Sequence, residues 1–162
     1  MNKNFTRIII FLCLSTFAFV SNAQVTVTGN ANTTPALAAA YASLANAITA
    51  LNSITAISGP VTISLNAGNP QTAPVGGYVI NFTATTTAAR TVTLTGNNNV
   101  ITTNSALVSG ELTDAVFKII GSNFVTIQNF TMQENVLNIT SAAATNDMTE
   151  WGVALLCAST TN

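Results

Sequence analysis

The chain has 162 residues, 48% of them hydrophobic and 6% charged, and it contains no histidine. That length suits one domain with one core, and the missing histidine removes the commonest general base and the commonest zinc ligand together. Four basic residues against five acidic ones leave no basic patch to track a phosphate backbone, which argues against a nucleic-acid partner.

The first element is MNKNFTRIIIFLCLSTFAFVSNAQ, which reads as a secretory signal peptide over residues 1–23. Lys3 and Arg7 form the positive region. Residues 8–20 are apolar apart from Ser15 and Thr16, and Ser21-Asn22-Ala23 puts small residues at the cleavage site. The apolar run is short for a bilayer span, which needs about 20 residues. Cleavage near Ala23 would leave a chain without a membrane span, secreted or held at the cell surface and dependent on export machinery. Cys13 would leave with the signal, so Cys157 could form no intrachain disulfide. Arg90 and Lys118 would then face Glu111, Asp114, Glu134, Asp147 and Glu150, a net charge of −3.

Residues 24–58 read as an N-terminal strand and a helix. Val25-Thr26-Val27-Thr28 alternates as a strand does, and residues 29–33 make a polar turn. Leu37, Tyr41, Leu44, Ile48 and Leu51 then recur at helical spacing. The pattern predicts an amphipathic helix from about Pro35 to about Asn52, with Thr34 as N-cap and Pro35 in the first turn. From Gly59-Pro60 onward the chain reads as strand and turn. Val61, Ile63 and Leu65 alternate with polar residues, residues 66–77 are a loop, and residues 78–83 and 91–95 are strands.

VTLTGNNNV from Val92 and FKIIGSNFV from Phe117 share one pattern, apolar-x-apolar-x-Gly-x-Asn-x-Val, at an offset of 25 residues. A fixed offset of that size is the mark of a stacked solenoid. On that reading Phe117 and Ile119 face the core, and Gly121 takes a positive φ at a corner. Asn123 sits at the bend, Val125 and Ile127 face inward on the next sheet, and Asn129 marks a second corner. A hairpin is the alternative for this stretch. The helix would cap the first coil, or else lie beside a β-sandwich. Residues 133–152 read as a long loop, followed by Val153, Leu155 and Cys157 as one more inward-facing strand, with Cys157 a buried structural cysteine. The expected fold is all-β, a right-handed parallel β-helix (solenoid) with an N-terminal amphipathic capping helix. Residues 59–162 would be its first coils, continuing beyond this chain because no closing cap follows.

The signal peptide, ALAAAYASLANAITALNS, GPVTISLNAG, YVINFTA, TVTLTGNNNVI and AVFKIIGSNFVTIQNFTM together resemble the start of secreted right-handed parallel β-helix (pectate-lyase-like) repeat proteins. More narrowly, they resemble the large bacterial surface proteins exported by type IX secretion, here as an N-terminal fragment without the C-terminal sorting domain. The resemblance covers nearly all of the mature chain. It implies a non-catalytic scaffold or adhesion/glycan-binding module, with a polysaccharide or cell-surface glycan as partner. The alternative is the N-terminal part of a β-helix polysaccharide lyase or glycoside hydrolase whose active site lies downstream.

Few residues carry chemistry. Glu111 and Asp114 are a weak calcium candidate; one pair falls short of the six to eight oxygens calcium takes, so they read first as a solvated turn. Glu134, Asp147 and Glu150 flank the long loop, with Trp151 at its end. Two of these carboxylates could act on a glycosidic bond if held about 5 to 10 Å apart, and Trp151 could stack on a sugar. The plainer reading packs Trp151 against the coil and leaves the acids to solubility. No metal and no cofactor is expected.

Overall fold

The computed structural model describes residues 23–105, 114–142 and 144–158. Residues 1–22 of the expected signal peptide and Glu111 lie outside the described residues. The strands are β1 (Val25–Thr28), β2 (Thr33–Thr34), β3 (Ala40–Tyr41), β4 (Ala56–Ile57), β5 (Val61–Leu65), β6 (Gln71–Thr72), β7 (Tyr78–Ile80), β8 (Val92–Thr102), β9 (Ala115–Ile120), β10 (Val125–Gln133) and β11 (Trp151–Leu156). One helix, α1 (Leu44–Asn52), falls between β3 and β4. The described residues are mostly β-structure with one short α-helix, as the alternating runs predict. No helix among the described residues is long and apolar enough to cross a membrane.

Two sheets carry the architecture. The larger has the order β10-β8-β5-β1-β3, with β6 also on β8, and the smaller has the order β11-β9-β7. Within the larger sheet β5, β8 and β10 run parallel, aligning Val61, Val92 and Val125. Within the smaller, β7, β9 and β11 run parallel, aligning Tyr78, Phe117 and Val153. The chain therefore alternates between the sheets, laying down β5 and β7, then β8 and β9, then β10 and β11. β1 pairs antiparallel with β5, so β1 and β3 of residues 24–58 join the larger sheet, while β2 and β4 form a small sheet of their own.

The alternation of residue types explains the core. Val61, Ile63 and Leu65 are fully buried while Thr62 and Ser64 turn away. Val92, Leu94, Tyr78, Ile80 and Phe117 are buried in the same manner. Aromatic rings join the sheets. Tyr78 stacks on Phe117 with centroids 5.2 Å apart, and Phe117 meets Phe130 of the opposite sheet at 5.1 Å.

The helix is half the expected length. It begins at Leu44 with Ser43 as N-cap, whose hydroxyl accepts from the Asn46 N–H at 3.2 Å. The preceding residues have their backbone groups engaged elsewhere. Ala39 O accepts from Val27 N, Leu37 N donates to Thr33 Oγ1, and Ala40–Tyr41 pairs with β1. Those partners leave no i→i+4 ladder. Thr34 pairs within β2 and β4 rather than capping, and Pro35 follows a cis peptide. Leu37 still points into the core, so its apolar spacing matched a helix without belonging to one. The helix that does form buries Leu44, Ala47, Ile48 and Leu51. Asn52 then completes the free edge of β7, donating to Val79 O at 2.7 Å and accepting from Asn81 N at 2.9 Å.

The 25-residue frame is not the stacking frame. Val92 and Phe117 lie in different sheets, and parallel strands in register are thirty or more residues apart. The two similar words also fold differently. β8 continues through its Gly-Asn-Asn-Asn, with Asn97 and Asn98 left-handed at φ 47° and 62°. β9 ends at Gly121, whose φ of 64° makes the expected corner. Gly96 serves a different need, because a Cβ there would sit 2.3 Å from a ring carbon of Phe130. Asn129 makes no second corner: β10 runs on through it from Val125 to Gln133, and its φ of 57° goes with a register shift between Gln128 and Phe130.

The last strand also departs from expectation. Val153 and Leu155 stand in register with buried Phe117 and Ile119, yet they are 39% and 77% exposed. Cys157 is free and exposed rather than buried. The reason is positional: among the described residues β11 is the outermost strand of its sheet, so no described strand covers its inward-type side chains.

Candidate functional site

The segment between β10 and β11 folds back onto the end of β8. Asparagines fasten it, layer upon layer. Asn104 Nδ2 donates to Ala73 O at 3.2 Å, Asn135 Nδ2 to Thr103 O at 3.1 Å, and Asn138 Nδ2 to Asn104 O at 3.0 Å. Asn135 Oδ1 also accepts from Leu137 N at 3.0 Å, an Asx-type turn that sets the loop's first bend.

Glu134, the first residue after β10, sits among these groups. Its Oε1 accepts a short bond from Thr103 Oγ1, one from Asn135 N at 2.8 Å and one from Asn138 Nδ2 at 2.7 Å. Its Oε2 accepts from Thr149 N at 2.6 Å. Burial pushes the carboxyl pKa up, but the bonds from Thr103, Thr149, Asn138 and Asn135 outweigh it and hold the pKa below the ordinary glutamate range. The carboxylate therefore stays ionised and spends its acceptor capacity on the protein.

The other acids divide. Asp147 ties the loop's middle to itself: its Oδ1 accepts from Thr140 N at 2.7 Å and its N–H donates to Thr140 O at 3.0 Å. Glu150 Oε1 accepts a short bond from Asn146 Nδ2, while Oε2 is buried without a partner. Trp151 N donates to Asp114 O at 3.1 Å, and the Trp151 side chain is 54% exposed. Glu134, Glu150 and Trp151 line one pocket of about 170 Å³ together with Thr103, Thr149, Val116 and Met132. The structure thus brings three of the four candidates together and leaves Asp147 outside the pocket lining.

Two expectations change here. Trp151 does not bury its ring beneath the loop, because it opens the uncovered terminal strand. Asp114 is not on a solvated turn; it is 4% exposed, next to the start of β9. Among the described residues no group of three or more His, Cys, Asp or Glu side chains is placed to hold a metal ion. The pocket is smaller than the roughly 300 Å³ at which small-molecule sites usually begin. Glu134 is held ionised and cannot donate a proton near neutrality, so it is a poor general acid, and four donors from its own chain already occupy its carboxylate. Sequence reasoning missed Thr103, Asn135, Asn138 and Thr149. Only the Glu-Asn-x-x-Asn run at 134–138 carried a local signal, that of an Asx turn.

No family model, curated protein or solved structure matches the chain.

Proposed function

We propose that the chain is a non-catalytic module of a secreted or cell-surface protein, a rigid parallel β-helix scaffold that presents an adhesion or glycan-binding surface. The alternation of the chain between two parallel three-strand stacks supports the β-helix reading. A right hand follows from the general bias of parallel crossovers. The signal-like N-terminus supports secretion.

The observation that carries the non-catalytic reading is Glu134. This pocket acid spends its carboxylate on four donors that tie three separate chain segments together, and it stays ionised, which fits a structural clamp better than a proton donor. Trp151, exposed beside Glu150, supplies an apolar face of the kind that stacks on a sugar ring. The test is a panel of purified polysaccharides assayed for retention of the protein and for release of reducing or unsaturated ends. The expected result is retention on a glycan, weakened about tenfold in Trp151→Ala, with no ends released. Chain cleavage would overturn the non-catalytic reading, and failure to retain the protein on any glycan would overturn the glycan-binding one.

A further inference from the structure

The outward side of the larger sheet carries a repeat that the core does not require. Along β1, β5, β8 and β10 the residues between the inward-facing ones stand in two files that cross all four strands. In the first file Thr28 pairs with Thr62, Thr62 with Thr93 and Thr93 with Thr126. In the second, Thr26, Ser64, Thr95 and Gln128 align in the same way. The register is unbroken across both files, and the shift in β10 comes only after Gln128. TISLN from Thr62 and TLTGN from Thr93 are one word, Thr-x-(Ser or Thr)-x-Asn, stacked on itself. Asparagines beside the second file engage it: Asn66 Oδ1 accepts from Thr26 Oγ1 at 3.1 Å, Asn97 Nδ2 donates to Ser64 Oγ at 3.0 Å and Asn129 Nδ2 to Thr95 Oγ1 at 3.4 Å. The first file is open. Thr28 and Thr126 are exposed, Thr62 and Thr93 are half-buried, and among the described residues none of the four hydroxyls is spent on a protein partner.

We propose that this wall is an ice-binding surface, which adsorbs the protein to the ordered water of an ice crystal. The site is separate from the glycan reading and shares no residue with the pocket beside Trp151. Three observations select the occupant. First, the open hydroxyls repeat. Paired strands lie about 4.8 Å apart, and side chains on one face follow one another at about 6.7 Å along a strand, intervals close to the oxygen repeats of ice. A partner that is itself a lattice can meet every threonine of the file, whereas a folded protein, whose surface is irregular, meets only some of them. Second, the chemistry is neutral and lacks rings. The two files hold six threonines, one serine and one glutamine, with no charged side chain to keep a hydration shell of its own. They also hold no aromatic face, the group that stacks on the sugar rings of a crystalline polysaccharide. Third, the groups are fixed in advance. Threonine is stiff at χ1, and each of the four stands on a paired strand, so little freedom is lost when the lattice arrives.

The test is ice-affinity partitioning: ice is grown slowly from a dilute solution of the protein, and the fraction of protein taken into the ice is compared with that left in the liquid. Serum albumin serves as the excluded reference. It would be run on the wild type, on Thr93→Tyr and Thr126→Tyr within the first file, and on the control Thr85→Tyr. Thr85 is exposed and lies outside both files. The expected result is enrichment of the wild type in ice, loss of that enrichment in Thr93→Tyr and in Thr126→Tyr, and full retention in Thr85→Tyr. Far-UV circular dichroism in the cold would confirm that each variant remains folded, and Thr126→Tyr, at an exposed position, keeps the test open if Thr93→Tyr does not fold. Trp151→Ala should enter ice as the wild type does, so failure of the glycan reading and failure of this one are told apart. Exclusion of the wild type from ice to the same degree as albumin overturns the proposal. So does an equal loss in the control, or a wall that holds crystalline cellulose or chitin in place of ice.

Discussion

Replacing Glu134 by glutamine keeps the side chain's shape and removes its charge. In the wild type, Oε1 serves Thr103 Oγ1, Asn135 N and Asn138 Nδ2, while Oε2 serves Thr149 N. A glutamine oxygen in the Oε1 position keeps three of these bonds but turns Nε2 toward the Thr149 N–H, donor against donor. The flipped amide keeps one bond and sets its NH₂ against three donors, so the first arrangement wins. The variant then loses one charge-assisted bond and the charge assistance of the others. Hydrogen bonds to charged groups contribute about 1.5–3 kcal/mol each, and water reaches this half-buried site, so the lower end, about 1.5–2 kcal/mol, is expected. The assay is the urea midpoint at neutral pH, with amide exchange at Thr149 as the local readout. Because the folded-state pKa is depressed, Glu134 contributes its stability above the ordinary value of 4.5 and loses it as pH falls through the lower folded value. The gap between wild type and Glu134→Gln should therefore close as the solution is acidified below that point. A variant within about 0.5 kcal/mol of wild type at neutral pH, or a gap that stays constant on acidification, would refute the clamp.

Phe117 is fully buried between Tyr78 and Phe130, so Phe117→Ala should cost about 3–5 kcal/mol in chemical denaturation. Asn99 is 5% exposed and donates to Gly96 O at 2.7 Å and Asn66 O at 2.8 Å while accepting from Asn69 N at 2.7 Å. Asn99→Ala should cost about 3 kcal/mol, and Asn99→Asp should not rescue it, because a second oxygen would face two carbonyls. The urea midpoints of the two variants check this. Burial pushes the Tyr78 hydroxyl pKa up to about 12 from an ordinary 10.0, so the folded state holds the neutral phenol. Stability is fully present below pH 10.0 and falls as pH rises toward about 12, and Tyr78→Phe should flatten that fall in alkaline urea titrations.

The strands were legible because period-two alternation is a local property. Val61, Ile63 and Leu65 announce a half-buried strand whatever lies beside them. The turn at Gly121 was legible for the same reason, since a left-handed residue is a one-residue requirement, whereas Asn129 takes the left-handed region inside β10 and turns no corner. Stacking partners were not. Which strand lies on which depends on how many residues each connection takes, and VTLTGNNNV and FKIIGSNFV resemble each other although they belong to different sheets. Asparagine tolerates the left-handed region, so β8 could pass through Asn97 and Asn98 and continue as strand. The helix start failed for a related reason. Leu37 and Tyr41 fit helical spacing, but their backbone groups had partners in β1 and at Thr33 that no periodicity reveals.

The candidate acids show what composition did and did not say. After residue 23 only Arg90 and Lys118 are basic, so five carboxylates have few cations to meet them. Glu134 has its charge met by hydroxyl and amide donors instead, and the chain supplies those in abundance as threonine and asparagine. The asparagines that read as turn formers have this second use throughout the stack. Asn97 donates to Leu65 O, Asn99 to Asn66 O, Asn104 to Ala73 O, Asn135 to Thr103 O and Asn138 to Asn104 O. In every case the donor belongs to the later segment and the acceptor to the earlier one. An amide can make such a bond beyond the reach of the backbone ladder between the two segments, and a charged side chain there would need a counterion the sequence lacks. The scarcity of charge and the wealth of asparagine are thus one design, in which neutral amides hold later segments to earlier ones and Glu134 gathers donors from three of them.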